Sequence, residues 1–72
     1  MAHLKIEDYV GGRMNDDEEV DIEGLRIPIA ALKGLMERGY VHLKPYRENR
    51  TVTFWGRNCT ACFTEKSLRE MT

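Results

Sequence analysis

The sequence predicts a small α+β domain, and three observations carry that prediction. Residues 28–38 place Ile29, Leu32 and Met36 at helical spacing, with Leu35 beside them. Residues 40–55 hold two stretches of apolar alternation around a polar tip, the pattern of a β-hairpin. The chain has 72 residues, enough for one domain and no more. The reading is a single domain over 1–72, with a central helix at about 28–38 and a hairpin at about 40–55. Two arrangements satisfy it, a winged-helix-like one and a plain strand-helix-hairpin. A domain this short buries only about 60% of its unfolded surface, so a homodimer is a candidate assembly.

The elements follow in chain order. In residues 3–10, Ile6, Tyr9 and Val10 fit a helical turn, whereas Leu4 and Ile6 fit a strand, and Gly11-Gly12 ends either element. Residues 13–19 form a polar, acidic connector. In residues 20–29, Val20 and Ile22, then Leu25, Ile27 and Ile29, alternate with a slip at Gly24, which predicts one bulged strand. A short helical turn over 20–25 is the competing reading. Pro28 suits the first position of the helix, Lys33 and Glu37 lie on its outer side, and Arg38 and Gly39 close it. Gly34 costs about 1 kcal/mol inside a helix, so it is expected where another backbone comes close.

In the hairpin, Val41 and Leu43 are expected to face inward, with Tyr40, His42 and Lys44 outward. On the second strand Val52 and Phe54 face inward, with Thr51, Thr53 and Trp55 outward. Pro45 lacks a backbone donor and belongs at a strand end or on an open edge. Asn49 is the residue expected to take a left-handed angle at the tip. Residues 56–63 read as a turn and connector, and 64–71 as a last helical segment capped by Thr64 with Leu68 inward.

Net charge is −1, but residues 1–24 hold eight acids against two bases, and residues 25–72 hold nine bases against four acids. A polyanion feels the second part locally despite the neutral total. The outward hairpin residues Tyr40, His42, Lys44 and Trp55, with Arg47, Asn49 and Arg50 at the tip and Arg57 beyond, combine cations for phosphates with rings for bases. The same Trp, Tyr and Arg side chains also suit a protein interface, and Trp55 also fits a core position under the N-terminal element or last helix.

The run LKGLMERGYV followed by a hairpin is similar to the end of winged-helix DNA-binding domains, over residues 28–55. The resemblance implies that Ile29, Leu32, Leu35 and Met36 form the inner face of a recognition helix. It implies that Lys33 and Arg38 face DNA, and that Arg47, Asn49 and Arg50 form the tip of a backbone-touching wing. Its partner is then duplex DNA. The helix carries few of the Arg, Asn and Gln side chains that read base edges.

An alternative partner is a host protein, bound and inhibited by a small phage or mobile-element factor. Asp16, Asp17, Glu18 and Glu19 would then supply an acidic surface that mimics a phosphate track. Cys59-x-x-Cys62 has zinc-ligand spacing, with His42 and His3 as completing ligands. The histidines do not form a second close pair, so two thiols and no metal are expected. Ser67 lacks a nucleophile-elbow context, Gly11-Gly12 lacks phosphate-loop spacing, and the carboxylates sit in polar runs. The reading is non-enzymatic, without a cofactor. No apolar run approaches the roughly 20 residues that cross a bilayer. The opening residues lack a basic region before an apolar stretch, so a cytoplasmic protein is expected.

Overall fold

A computed structural model describes residues 4–11 and 17–71. The chain runs β1 (Leu4–Lys5), a 3-10 turn (Ile6–Asp8), β2 (Glu19–Ile22), β3 (Leu25–Pro28), α1 (Ile29–Glu37), β4 (Tyr40–Tyr46), β5 (Thr51–Gly56), β6 (Thr60–Thr64) and α2 (Glu65–Glu70). The fold class is α+β, with two helices and antiparallel strand pairings. One sheet has the order β1-β4-β5-β6, and β2-β3 is a separate ribbon.

The N-terminal stretch contains both of its expected elements, a two-residue strand and then a turn that buries Ile6. Residues 19–28 correct the sequence reading. They form a hairpin, not a bulged strand or a helical turn, with Ile22 opposite Leu25. Glu23 and Gly24 make its two-residue turn with φ of 54° and 90°. A tight hairpin turn that matches strand twist requires positive φ at both positions. The Gly24 N–H donates to Asp21 Oδ1 at 2.9 Å, which steadies it.

Pro28 ends β3 and sits one residue before α1, with ψ of 141°. The following N–H, that of Ile29, donates to the Glu18 carbonyl and anchors the helix start. The buried face of α1 is Ile29, Ala31, Leu32 and Leu35. Met36, expected inside, is exposed at the edge of that seam. Gly39 closes the helix at φ 105°. Gly34 is a further correction, because among the described residues nothing outside its own helix turn lies within 4 Å of the place a Cβ would occupy. Gly34→Ala is therefore expected to stabilise the protein by about 0.5–1 kcal/mol. That raises the melting temperature by several degrees, at about 4–8 °C per kcal/mol for a domain this small. A lower melting temperature in calorimetry would refute the open site.

The hairpin β4–β5 forms as expected, and Pro45 lies in the part of β4 that β1 does not reach. Its first residues depart from strict alternation. Tyr40 pairs with Gly56 and His42 with Trp55, so Val41 is an extra residue in a β-bulge. The bulge turns Val41 out to solvent and Tyr40 in, where its ring meets Phe54 edge-on at 6.4 Å. Tyr40 thereby leaves the outward face assigned to it. At the tip, the left-handed residue is Arg50 (φ 53°) and not Asn49. Arg50 is the last of the four tip residues, where the chain must swing back into β5, and its N–H bonds the Arg47 carbonyl.

Residues 60–63, read as part of a connector, belong with Thr64 to a strand paired with β5 from Thr51–Thr64 to Trp55–Thr60. The threonines carry its outer face while Ala61 and Phe63 carry the inner one. Phe63 meets Phe54 edge-on at 5.9 Å. Thr64 caps α2 by accepting from the Ser67 N–H at 3.0 Å, and Leu68 is fully buried, both as expected. The core joins Leu43, Val52 and Phe54 of the sheet to Ile6, Ile22, Leu25, Ile27, the α1 seam and Leu68. The helices and the β2–β3 ribbon thus lie on one face of the four-stranded sheet, and no other described element lies on the opposite face.

Candidate functional site

Period-two geometry and register determine the outward face row by row. Lys5, His42, Trp55 and Thr60 lie side by side across the four strands. The next row holds Lys44, Thr53 and Cys62, and the last Tyr46, Thr51 and Thr64. No carboxylate occurs among them. His42 and Trp55 are stacked, with ring centroids 5.5 Å apart and planes at 29°. Both are partly buried, while Lys44 and Tyr46 are exposed. Lys44 Nζ lies 5.5 Å from the Tyr46 ring centre. The face therefore alternates flat rings and ammonium groups, with small hydroxyl side chains around them.

Of the residues predicted from sequence, His42, Lys44 and Trp55 are brought together here. Tyr46 and Lys5 join them unforeseen. Continuing the alternation of β4 past Pro45 would have found Tyr46, but the pairing of Lys5 is a long-range fact with no local signal.

The remaining candidates are placed elsewhere. Lys33 and Arg38 belong to α1 and its end, against the covered side of the sheet. Asn49 is exposed at the tip, and Arg57 is exposed in the β5–β6 turn at the opposite end. Both tip arginines are exposed, and each also reaches a group in the body of the protein. Arg47 Nε lies 3.4 Å from the Cβ position of Gly24, so its side chain crosses the β2–β3 turn. A cleft of about 630 Å³ separates that turn from the hairpin tip, lined by Gly24, Leu25, Tyr46, Arg47 and Arg50 among others.

Arg50 is committed to Glu65. Its Nε donates to Glu65 Oε1 at 2.9 Å, and a second guanidinium nitrogen lies 2.7 Å from the same oxygen. Glu65 Oε2 accepts from the Arg26 N–H at 2.8 Å, and the Glu65 N–H donates to the Arg50 carbonyl. Glu65 is buried, with 10% of its side chain exposed. The Arg26 N–H holds its pKa below the usual glutamate range; burial opposes this, and the Arg50 and Arg69 charges reinforce it. Sequence reasoning missed this residue, because an acid at the start of a helix needs no partner beyond the helix dipole.

The acidic surface is in part used within the chain. Glu19 lies 4.0 Å from Arg26 and 3.6 Å from Arg69, while Asp17 and Glu18 are exposed. Asp16 and His3 lie outside the described residues. Cys59 precedes β6 and Cys62 lies within it, so extended chain separates the two. That differs from the tight knuckle that brings two thiolates to one metal. Among the described residues, no three His, Cys, Asp or Glu side chains are placed to hold a metal ion. Nor is any helix among them long and apolar enough to cross a membrane. The chain matches no protein-family model, no curated protein and no solved structure.

Proposed function

We propose that the chain is a small nucleic-acid-binding module whose contact surface is the outward face of the four-stranded sheet. One observation carries the reading. In a chain with twelve acids, the outward rows hold Lys5, Lys44, the stacked His42 and Trp55, and Tyr46, with no carboxylate. Ammonium groups neutralise phosphates, and aromatic faces stack on bases. The reading moves the contact from the hairpin tip to the sheet, because Arg50 serves Glu65. It also leaves α1 a packing role, since β2–β3 stands in front of it where a helix-turn-helix has a helix.

The test is anisotropy with labelled nucleic acid. With two or three phosphate contacts, affinity falls about ten-fold or more between about 50 and 200 mM salt, through counterion release. Lys44→Glu weakens binding and leaves the melting temperature unchanged, as Lys44 is exposed. No affinity at the lower salt removes the reading. Neutralising Asp17 and Glu18 separates it from an acidic protein-binding surface. Those changes leave nucleic-acid affinity equal or higher, whereas they abolish capture of a protein partner held by acids.

A further inference from the structure

We infer that β6 is the contact edge of a homodimer, in which two copies of this chain pair their β6 strands antiparallel across a two-fold axis centred on Cys62. The inference is independent of the proposed function. β6 ends the four-stranded sheet, and among the described residues no strand pairs with its outer side. The ladder tells which backbone groups that side presents. The Gly56 N–H donates to the Cys59 carbonyl and the Glu65 N–H to the Arg50 carbonyl, both at 2.9 Å. Hydrogen-bonded pairs alternate along an antiparallel ladder, so between those two it is Ala61 and Phe63 that bond to β5. The N–H and C=O groups of Thr60 and Cys62, and the N–H of Thr64, therefore point away from the sheet. The Thr64 carbonyl is directed into α2, whose cap Thr64 is.

A strand edge is self-complementary, so a two-fold axis gives each of these donors an acceptor on the second copy. Edges that stay single are kept short, or carry charge, proline or a bulge. The run TACFT has no charged residue, no proline and an unbroken register with β5. The opposite edge is protected. Among the described residues β1 is two residues long, carries Lys5 and runs into the 3-10 turn. Growth of β6 onto β1 of another copy is thus blocked, and the pairing closes at two chains. Centring on Cys62 pairs all five residues of one β6 with all five of the other. Phe63 then stands opposite Ala61 of the second copy, large against small, on the side where both are partly buried. The two exposed Cys62 side chains face each other on the outward side, with Cα atoms about 5.5 Å apart as in any hydrogen-bonded antiparallel pair. The two sheets join into one of twice the width.

The experiment measures the mass of the full chain by sedimentation equilibrium under reducing conditions. The expected result is a mass that rises toward that of two chains as concentration increases from micromolar to millimolar. Cys62→Pro is expected to abolish the rise. It removes only an N–H that faces away from β5, so the internal ladder stays whole and the circular dichroism of the monomer is unchanged. Cys62→Lys sets like charges face to face and is expected to abolish the rise as well, whereas Cys62→Ser keeps the dimer. In a Cys59→Ser background, a short bismaleimide is expected to join two chains through Cys62 at the concentrations where the dimer forms. A chain that stays monomeric throughout, a dimer that survives either Cys62→Pro or Cys62→Lys, or a dimer that gives no Cys62 cross-link overturns the inference.

Discussion

Gly56→Ala is expected to destabilise the protein by about 2–3 kcal/mol, the scale of a forced overpacking. For a domain of this size that lowers the melting temperature by roughly 10–20 °C. A methyl group on Gly56 would overlap the Gly39 carbonyl oxygen and lie 3.3 Å from Cys59 Sγ. The obstructing atom is backbone, so it cannot move aside as a long side chain would. Gly39 is itself held by its positive φ and by its N–H bond to the Met36 carbonyl, and Gly56 by its N–H bond to the Cys59 carbonyl. Relief would have to come from the end of α1, the bulge at Val41 or the β5–β6 turn. The total stability of such a domain is about 4–11 kcal/mol, so this loss is a large fraction. Gly34→Ala is the matched control, because both changes add one methyl group and remove the same backbone freedom. Opposite shifts in the two melting temperatures isolate the steric conflict. A Gly56→Ala variant that melts within a few degrees of the parent would show that the α1–β4 loop is free to retreat.

The parts of the fold that were legible in the sequence are those set by local periodicity and punctuation. The helix was readable from Ile29, Leu32 and Leu35 with Gly39 after them, and β4–β5 from the alternation around Leu43 and Phe54. The β2–β3 hairpin was ambiguous for a physical reason. A bulge and a two-residue reversal leave the same gap between Ile22 and Leu25, and only the direction of the chain beyond it distinguishes them. Strand β6 was missed because it is short, follows a Gly-Arg-Asn turn signal and contains Ala61, a weak strand former, so its pairing with β5 does what local pattern does not. The bulge at Val41 left no sequence mark, since Tyr40 and Val41 are each acceptable on either face.

The candidate site divides along the same line. His42, Lys44 and Trp55 could be placed on one surface because strand alternation is local. The arginines at the tip could not be aimed, because Arg50 answers to Glu65, which lies fifteen positions later in the chain and across the fold.

That carboxylate governs the second large effect. Glu65→Ala is expected to cost about 1–3 kcal/mol, chiefly because it leaves the Arg26 N–H without its buried acceptor, while Arg50, with 63% of its side chain exposed, is rehydrated. It also unties three elements at once: the start of α2, the end of the β4–β5 tip and the middle of β3. Glu65→Gln keeps the shape and one acceptor but loses the charge, so it falls between the parent and the alanine variant. The charge makes this contribution dependent on pH. The folded-state pKa of Glu65 is depressed, chiefly by the Arg26 N–H and then by Arg50 and Arg69 against the opposing effect of burial. The unfolded chain therefore binds a proton more readily than the folded one. The stabilisation is complete above the unfolded glutamate value of about 4.3 and is lost as pH falls below it toward the folded value. Melting temperatures taken from pH 7 to pH 3 should show a gap between the parent and Glu65→Gln that is constant in the upper part of the range and narrows below about pH 4.3. Other carboxylates titrate in the same window, but they are common to both proteins and cancel in the difference. Parallel curves down to pH 3 would mean that the Glu65 charge contributes nothing to folding, and that its buried oxygens act only as neutral acceptors.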